Sequence, residues 1–160
     1  MTVFIARKVM EDVVRYGEDE KIIACRIPLA ADVRKMELSN DGYHICYQQG
    51  SGIIRAVVSG FWSSVQTDAY FATLAIYIEA CRKRHEVVKV LVDRRGSPVQ
   101  SREVALRMRR ANEDLFDVTD GLAIVVDSKL LKMQLDRLFA HEGSKAFLSY
   151  DAALSWLLSF

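Results

Sequence analysis

The side chains best placed for chemistry in this 160-residue chain are two aspartates, each ending a short β-branched run. Val87-Val88-Lys89-Val90-Leu91-Val92 leads into Asp93, and Gly121-Leu122-Ala123-Ile124-Val125-Val126 leads into Asp127. On neighbouring strand ends such a pair could act as acid and base, as paired carboxylates do in several hydrolases. No histidine or nucleophile accompanies them in the sequence. Asp127, followed by Ser128 and a leucine-rich periodic run, is also how an ordinary helix begins. The stretch after Asp93 offers different chemistry. Arg94, Arg95, Gly96, Ser97 and Ser101 supply two guanidinium groups, a permissive glycine and two hydroxyls at a helix start, which together can hold an anion. A phosphoryl group on Ser97 would add charge where Arg94, Arg95 and the helix dipole favour it. The plainer alternative is a solvated turn in which Ser101 caps the following helix.

Other chemistry-bearing groups are more scattered. His44 and Cys46 stand two apart on an expected strand, so they share a face, but a third and fourth metal ligand are missing. His85 and His141 fall at helix ends, where their charge complements the dipole. Neither a metal nor a cofactor is expected. Residues 79–112 carry ten Lys or Arg against Glu79, Glu86, Asp93 and Glu103, which leaves +6. Such a patch suits an acidic partner, an anionic lipid surface or RNA, yet no aromatic residues interleave with it as single-strand stacking requires. A solvated helix face is the expectation, and nucleic acid is not an expected partner.

The elements that must position these groups read as α/β. Both runs ending in aspartate have the composition of strands buried on both faces of a parallel sheet, with helices covering each side. Ligands of open α/β sheets collect beyond the carboxyl ends of such strands, where Asp93 and Asp127 would lie. Tyr43–Gln48 and Ile53–Ser59 flank Gln49-Gly50-Ser51-Gly52 and read as a β-hairpin. Ser63 with Gln66 forms a capping box for a helix from Ser64 to about Arg84. Its apolar stripe is Val65, Ala69, Ala72, Ile76 and Ala80. Tyr70, Thr73 and Tyr77 form a second stripe, a candidate interface that could make the protein a homodimer; the alternative is that the rings lie on the protein's own surface. Further helices are expected around Val104–Leu115 and Leu131–Phe139, with a strand at Ala146–Ser149 and a last helix capped by Asp151. Before the hairpin, a short helix near 5–16, strands at 21–27 and 34–38, and a turn at Ser39–Gly42 make up an N-terminal extension, residues 1–42, packing on a core domain of residues 43–160.

Size and composition agree with one globular core. The hydrophobic share is 51% and the charged share 27%, with 22 Lys and Arg against 21 Asp and Glu, so no bulk field demands a polyanionic partner. Three cysteines without a CxxC pair suggest a reducing compartment, and the start of the chain lacks a secretory pattern. No stretch reaches the ~18 apolar residues of a membrane span, so a cytoplasmic protein is expected.

The order hairpin, helix, strand, helix, strand, helix, short strand, helix carries a family likeness. Together with Gly60-Phe61-Trp62, Val90-Leu91-Val92-Asp93, Ala123-Ile124-Val125-Val126 and the closing Ala152-Ala153-Leu154-Ser155-Trp156-Leu157, it resembles the STAS family, specifically the small bacterial anti-sigma-factor-antagonist-like proteins. The likeness covers about residues 43–158. It implies a mixed, mainly parallel sheet with about four covering helices, and a regulatory module without enzymatic activity that docks on protein partners. In the antagonist branch a serine or threonine directly after the third strand's aspartate is phosphorylated by a partner kinase. Arg94 stands at that place here, and the nearest serine is Ser97. A related branch resembles lipid-carrier domains. Two functional expectations follow: a non-enzymatic domain docking on a protein partner through the loop after Asp93 and the adjoining helices, or a carrier for a small anionic or apolar ligand bounded by Asp93, Arg94, Arg95 and Asp127.

Overall fold

The computed structural model describes Asp32, Lys35 and residues 37–160 apart from 85, 140 and 141. The chain divides between Asp32 and Val33 into two units, and the described residues beyond Asp32 all fall in the second. The helix expected near 5–16, the strand at 21–27, His85 and His141 lie outside the described residues.

Six strands lie side by side in chain order: β1 (Glu37–Asn40), β2 (Tyr43–Gln48), β3 (Ile53–Ser59), β4 (Lys89–Gly96), β5 (Gly121–Val125) and β6 (Ser144–Phe147). The first three are antiparallel to one another, and β3, β4, β5 and β6 run parallel. Four helices connect or close them: α1 (Ser64–Lys83), α2 (Arg102–Leu115), α3 (Lys129–Leu138) and α4 (Tyr150–Leu158). This is the mixed α/β architecture expected from the sequence.

Local chemistry explains most element ends. The β2–β3 reversal closes with Gly52 at φ 68°, its N–H donating to the Gln48 carbonyl at 2.9 Å. The expected capping box starts α1: the Gln66 N–H donates to Ser63 Oγ at 3.2 Å and the Ser63 N–H donates to Gln66 Oε1 at 3.0 Å. Three boundaries differ. The first strand is Glu37–Asn40, so residues placed in the extension contribute a strand to the sheet, and the tight turn is confined to Asp41 and Gly42. The last strand comes two residues early, at Ser144–Phe147, because Ser149 rather than Asp151 caps α4, its Oγ accepting from the Ala152 N–H. β4 runs on to Gly96, whereas β5 stops short of Asp127.

Alternation along the strands builds two cores. Ile53, Leu91, Ala123 and Val125 point to one face, where Ala153 and Leu157 of α4 cover them. Val58, Val92, Leu122 and Ile124 point to the other, beneath Tyr70 and Phe71 of α1, Met108 of α2 and Phe139 at the end of α3. Each face buries branched aliphatic surface worth roughly 1.5–3 kcal/mol per fully buried side chain.

Candidate functional site

The end of β4 sets the site, because consecutive residues of a strand point to opposite faces. Asp93 and Arg95 share the α4 face, and Arg94 turns to the other. On the α4 face the Arg95 Nε and Nη2 donate to the two Asp93 carboxylate oxygens at 3.0 and 2.7 Å. The Arg95 backbone N–H adds a third bond at 3.2 Å. These hydrogen bonds hold the Asp93 carboxyl below the usual aspartate range. Arg95 and Arg55 also stand over the Tyr150 ring, at 5.9 and 5.5 Å from its centroid. Asp127 is exposed, two residues beyond the strand position that pairs with Asp93. The expected acid and base are therefore not coupled: Asp93 gives both oxygens to Arg95, and Asp127 faces water.

The loop that follows is tied to the loop between β3 and α1. Ser97, the candidate phosphorylation site, is 6% exposed, with its Oγ donating to the Gly60 carbonyl and accepting from Gln100 Nε2 at 3.0 Å. Ser101 caps α2 by accepting from the Val104 N–H at 3.2 Å, the plainer of its two expected roles. The centre of the junction is Gln100, which sequence reasoning missed. Its Oε1 accepts the buried Trp62 N–H at 2.7 Å, while its Nε2 reaches the Gly60 and Pro98 carbonyls, each at 3.0 Å. These partners fix which end of the amide is oxygen. The Gly60 N–H donates to the Gly96 carbonyl at 3.1 Å, and Ser64 Oγ donates to Glu103 at 2.6 Å. Nothing local marks Gln100, since Gly60 and Trp62 lie about forty residues away in the chain. On this pinned pair of loops and the first turn of α1, Phe61, Val65 and Val99 are 62%, 76% and 64% exposed.

On the opposite face Arg94 lines a narrow cleft with Trp62, Tyr70, Phe71, Met108 and Asn112 that encloses about 40 Å³. Its guanidinium is largely buried, which pushes its pKa down, and Nε has no hydrogen-bond partner among the described residues. Burial also pushes the Tyr70 hydroxyl far up, so it stays protonated. The four residues expected to bound one ligand are thus divided between the two sides of the sheet.

The other candidates resolve similarly. Tyr70 and Tyr77 are buried against the protein's own sheet, Tyr77 donating to the Ile45 carbonyl at 3.1 Å, and Thr73 bonds Tyr43 at 3.0 Å. That stripe is an internal face, with Tyr77 and Thr73 finding hydrogen-bond partners there; Val65, expected in the apolar stripe, is the exposed one. His44 bonds Ser39 at 2.6 Å, and no cluster of three metal-ligating side chains occurs among the described residues. In the basic segment Arg82 pairs with Asp117 and Asp120, Arg84 with Glu86, Arg107 with Asp68 and Arg109 with Glu113. Among the described residues no helix is long and apolar enough to cross a membrane. Compared with known proteins, the chain matches no family model and no curated relative.

Proposed function

We propose that this chain is a STAS-like regulatory or interaction domain that performs no chemistry itself and docks on a protein partner. The docking surface is the loop after Asp93 with the adjoining helix starts. One observation carries the reading: Phe61, Val65 and Val99 stand exposed on segments that Gln100, Gly60 and Glu103 hold in place. Single exposed apolar residues are common, but several on one pre-ordered surface suit a partner, because little entropy is lost when it docks. Arg102, exposed at the start of α2, adds positive charge there and favours a partner with acidic groups around an apolar centre. The Asp93–Arg95 pairing agrees with a module rather than an enzyme, since the carboxylate is already engaged. The Cys46 thiol fits a reducing, cytoplasmic setting.

The test is affinity capture from the cells that make the protein, comparing the parent chain with a Phe61→Asp, Val99→Asp double variant whose fold is checked by circular dichroism. A partner enriched by the parent and lost from the variant is the expected result. Identical enrichment by both chains, or none by either, would refute the surface. The second reading, a carrier for a small anionic or apolar ligand, has one specific observation in its favour: Arg94 lines a cleft and its Nε has no hydrogen-bond partner among the described residues.

A further inference from the structure

β6 is the last strand of the sheet, and its outer edge faces no other strand among the described residues. The Leu122 N–H donates to the Gly143 carbonyl at 2.7 Å and the Val126 N–H to the Phe147 carbonyl at 2.9 Å, so alternation turns the backbone of Ser144 and Ala146 away from β5. The outward Ala146 N–H meets Asp136 Oδ1 of α3 at 3.3 Å, longer than a good N–H···O bond. On the α4 face beside this edge the rings of Phe147, Trp156 and Phe160 form a ladder, 5.6 and 4.8 Å between successive centroids, and Leu148 and Phe160 are 43% and 40% exposed. The edge at β1, by contrast, shows Glu37, Ser39 and Asn40 to water. An unpaired strand edge flanked by exposed rings is a template for another strand.

The charges beside the edge say whose strand. α3 carries the chain back from the carboxyl end of β5 to the start of β6, so it runs opposite to β6. Asp136 stands level with Ala146, and its ion partner Lys132, at 2.6 Å, lies one helical turn nearer the carboxyl end of the strand. That turn advances ~6 Å, about two strand residues, which sets Lys132 level with Leu148. A two-fold axis at Phe147 brings the β6 of a second copy alongside, antiparallel, with Ala146 facing Leu148 of the copy. Asp136 then faces Lys132 of the copy, and Lys132 faces Asp136, on one side of the sheet. On the other side Phe147 meets its own equivalent at a position without ladder bonds, where antiparallel side chains approach closest. One register satisfies both sides at once.

We infer that this chain forms a homodimer through β6, joining two sheets edge to edge. The Ala146 N–H passes from Asp136 to the backbone of the copy, which releases that carboxylate to Lys132 of the copy, and the exposed ends of the two aromatic ladders cover each other. This surface is separate from the docking surface at Phe61 and Val99, so either can fail alone. A short strand and one aromatic stripe fall below the ~800 Å² per partner of a standard interface, so association is weak, with Kd on the order of 10–1,000 µM.

Sedimentation velocity on the full chain from about 5 to about 500 µM tests this. The sedimentation coefficient of the parent should rise with concentration towards that of a dimer. The Lys132 and Asp136 side chains are 33% and 39% exposed, so exchanging their charges leaves the core intact. Lys132→Asp makes the edge acidic at both positions, and Asp136→Lys makes it basic at both. Each variant alone should dimerise about tenfold more weakly, the span of two surface ion pairs turned repulsive. An equal mixture should regain the parental affinity, because each acidic edge then faces a basic one. A parent that stays monomeric would overturn the inference. So would a dimer indifferent to both substitutions, or one that mixing does not restore, since its interface would lie elsewhere. Should either variant not fold, Phe147→Cys decides: air oxidation should join position 147 of two chains, located by peptide mapping, and no linkage, or linkage confined to other cysteines, would overturn the inference.

Discussion

Replacing Gln100 by glutamate changes almost nothing in shape, yet it should unpin the two loops of the docking surface. The acceptor end survives, because a carboxylate oxygen still receives the Trp62 N–H now bonded at 2.7 Å. The donor end does not. Nε2 serves the Gly60 and Pro98 carbonyls and Ser97 Oγ, all at 3.0 Å, and its two hydrogens can make two full-strength bonds among them. Two lost bonds at about 1 kcal/mol each, plus a carboxylate facing carbonyl oxygens, sum to roughly 2–4 kcal/mol at neutral pH. For a domain of this size that lowers Tm by about 8–16 °C, taking roughly 4 °C per kcal/mol. The pH dependence has a definite sign. Burial beside carbonyls raises the carboxyl pKa of the variant in the folded state above its unfolded value. The variant therefore recovers stability as the pH falls through the raised folded value, where the protonated group can donate again, and loses it as the pH rises. Thermal melts of parent and Gln100→Glu, followed by circular dichroism at about pH 5 and about pH 8, measure the gap and its narrowing. Equal melting at neutral pH, or a gap that does not shrink in acid, would refute the account of the junction.

Two further predictions concern the same half of the molecule. Gly42 has φ 85°, and a Cβ there would stand 2.8 Å from Trp62 Nε1 and 3.2 Å from the Ser59 carbonyl. Gly42→Ala should cost about 2–3 kcal/mol in urea unfolding, from the left-handed backbone and the crowding together, whereas Gly50→Ala should stay within ~0.5 kcal/mol. Nothing lies within 4 Å of the Cβ that Gly50 would gain, so comparable losses at both positions would contradict the geometry. Asp93, held below its ordinary pKa chiefly by the Arg95 side chain, contributes stability that is present above the unfolded carboxyl value and lost as pH falls through the lower folded one. Arg95→Ala should therefore move the midpoint of acid unfolding to higher pH in a circular dichroism titration. An unchanged midpoint would show that the pair contributes nothing.

Elements with local signals were legible in the sequence. The β2–β3 hairpin and the start of α1 agree with the residues expected, because turn glycines and the Ser63–Gln66 box act within a few residues of themselves. The parallel pairing of β4 and β5 followed from their uniformly apolar composition. What failed had other causes. The face of α1 could not be chosen, because the helix is apolar or aromatic around most of its circumference and the Tyr77 hydroxyl finds an acceptor inside. The expected grouping of Asp93, Arg94 and Arg95 assumed that the strand ended at Asp93. Its continuation to Gly96 sends the two arginines to opposite faces. Gln100 carried no signal at all, since its role is defined by partners on a distant loop.

The sheet's spatial sequence, identical to the order of its strands along the chain, bears on synthesis at the ribosome. Each new strand from β2 to β6 finds a neighbour already in place, so the layer can lengthen by one ribbon at a time without waiting for a distant segment to thread between two others. One side of that layer stays uncovered throughout this growth. Ile53, Leu91, Ala123 and Val125 are sealed only when α4, made after all six strands, settles over them. A chain cut short before Tyr150 would leave the ribosome with an oily, sticky flank.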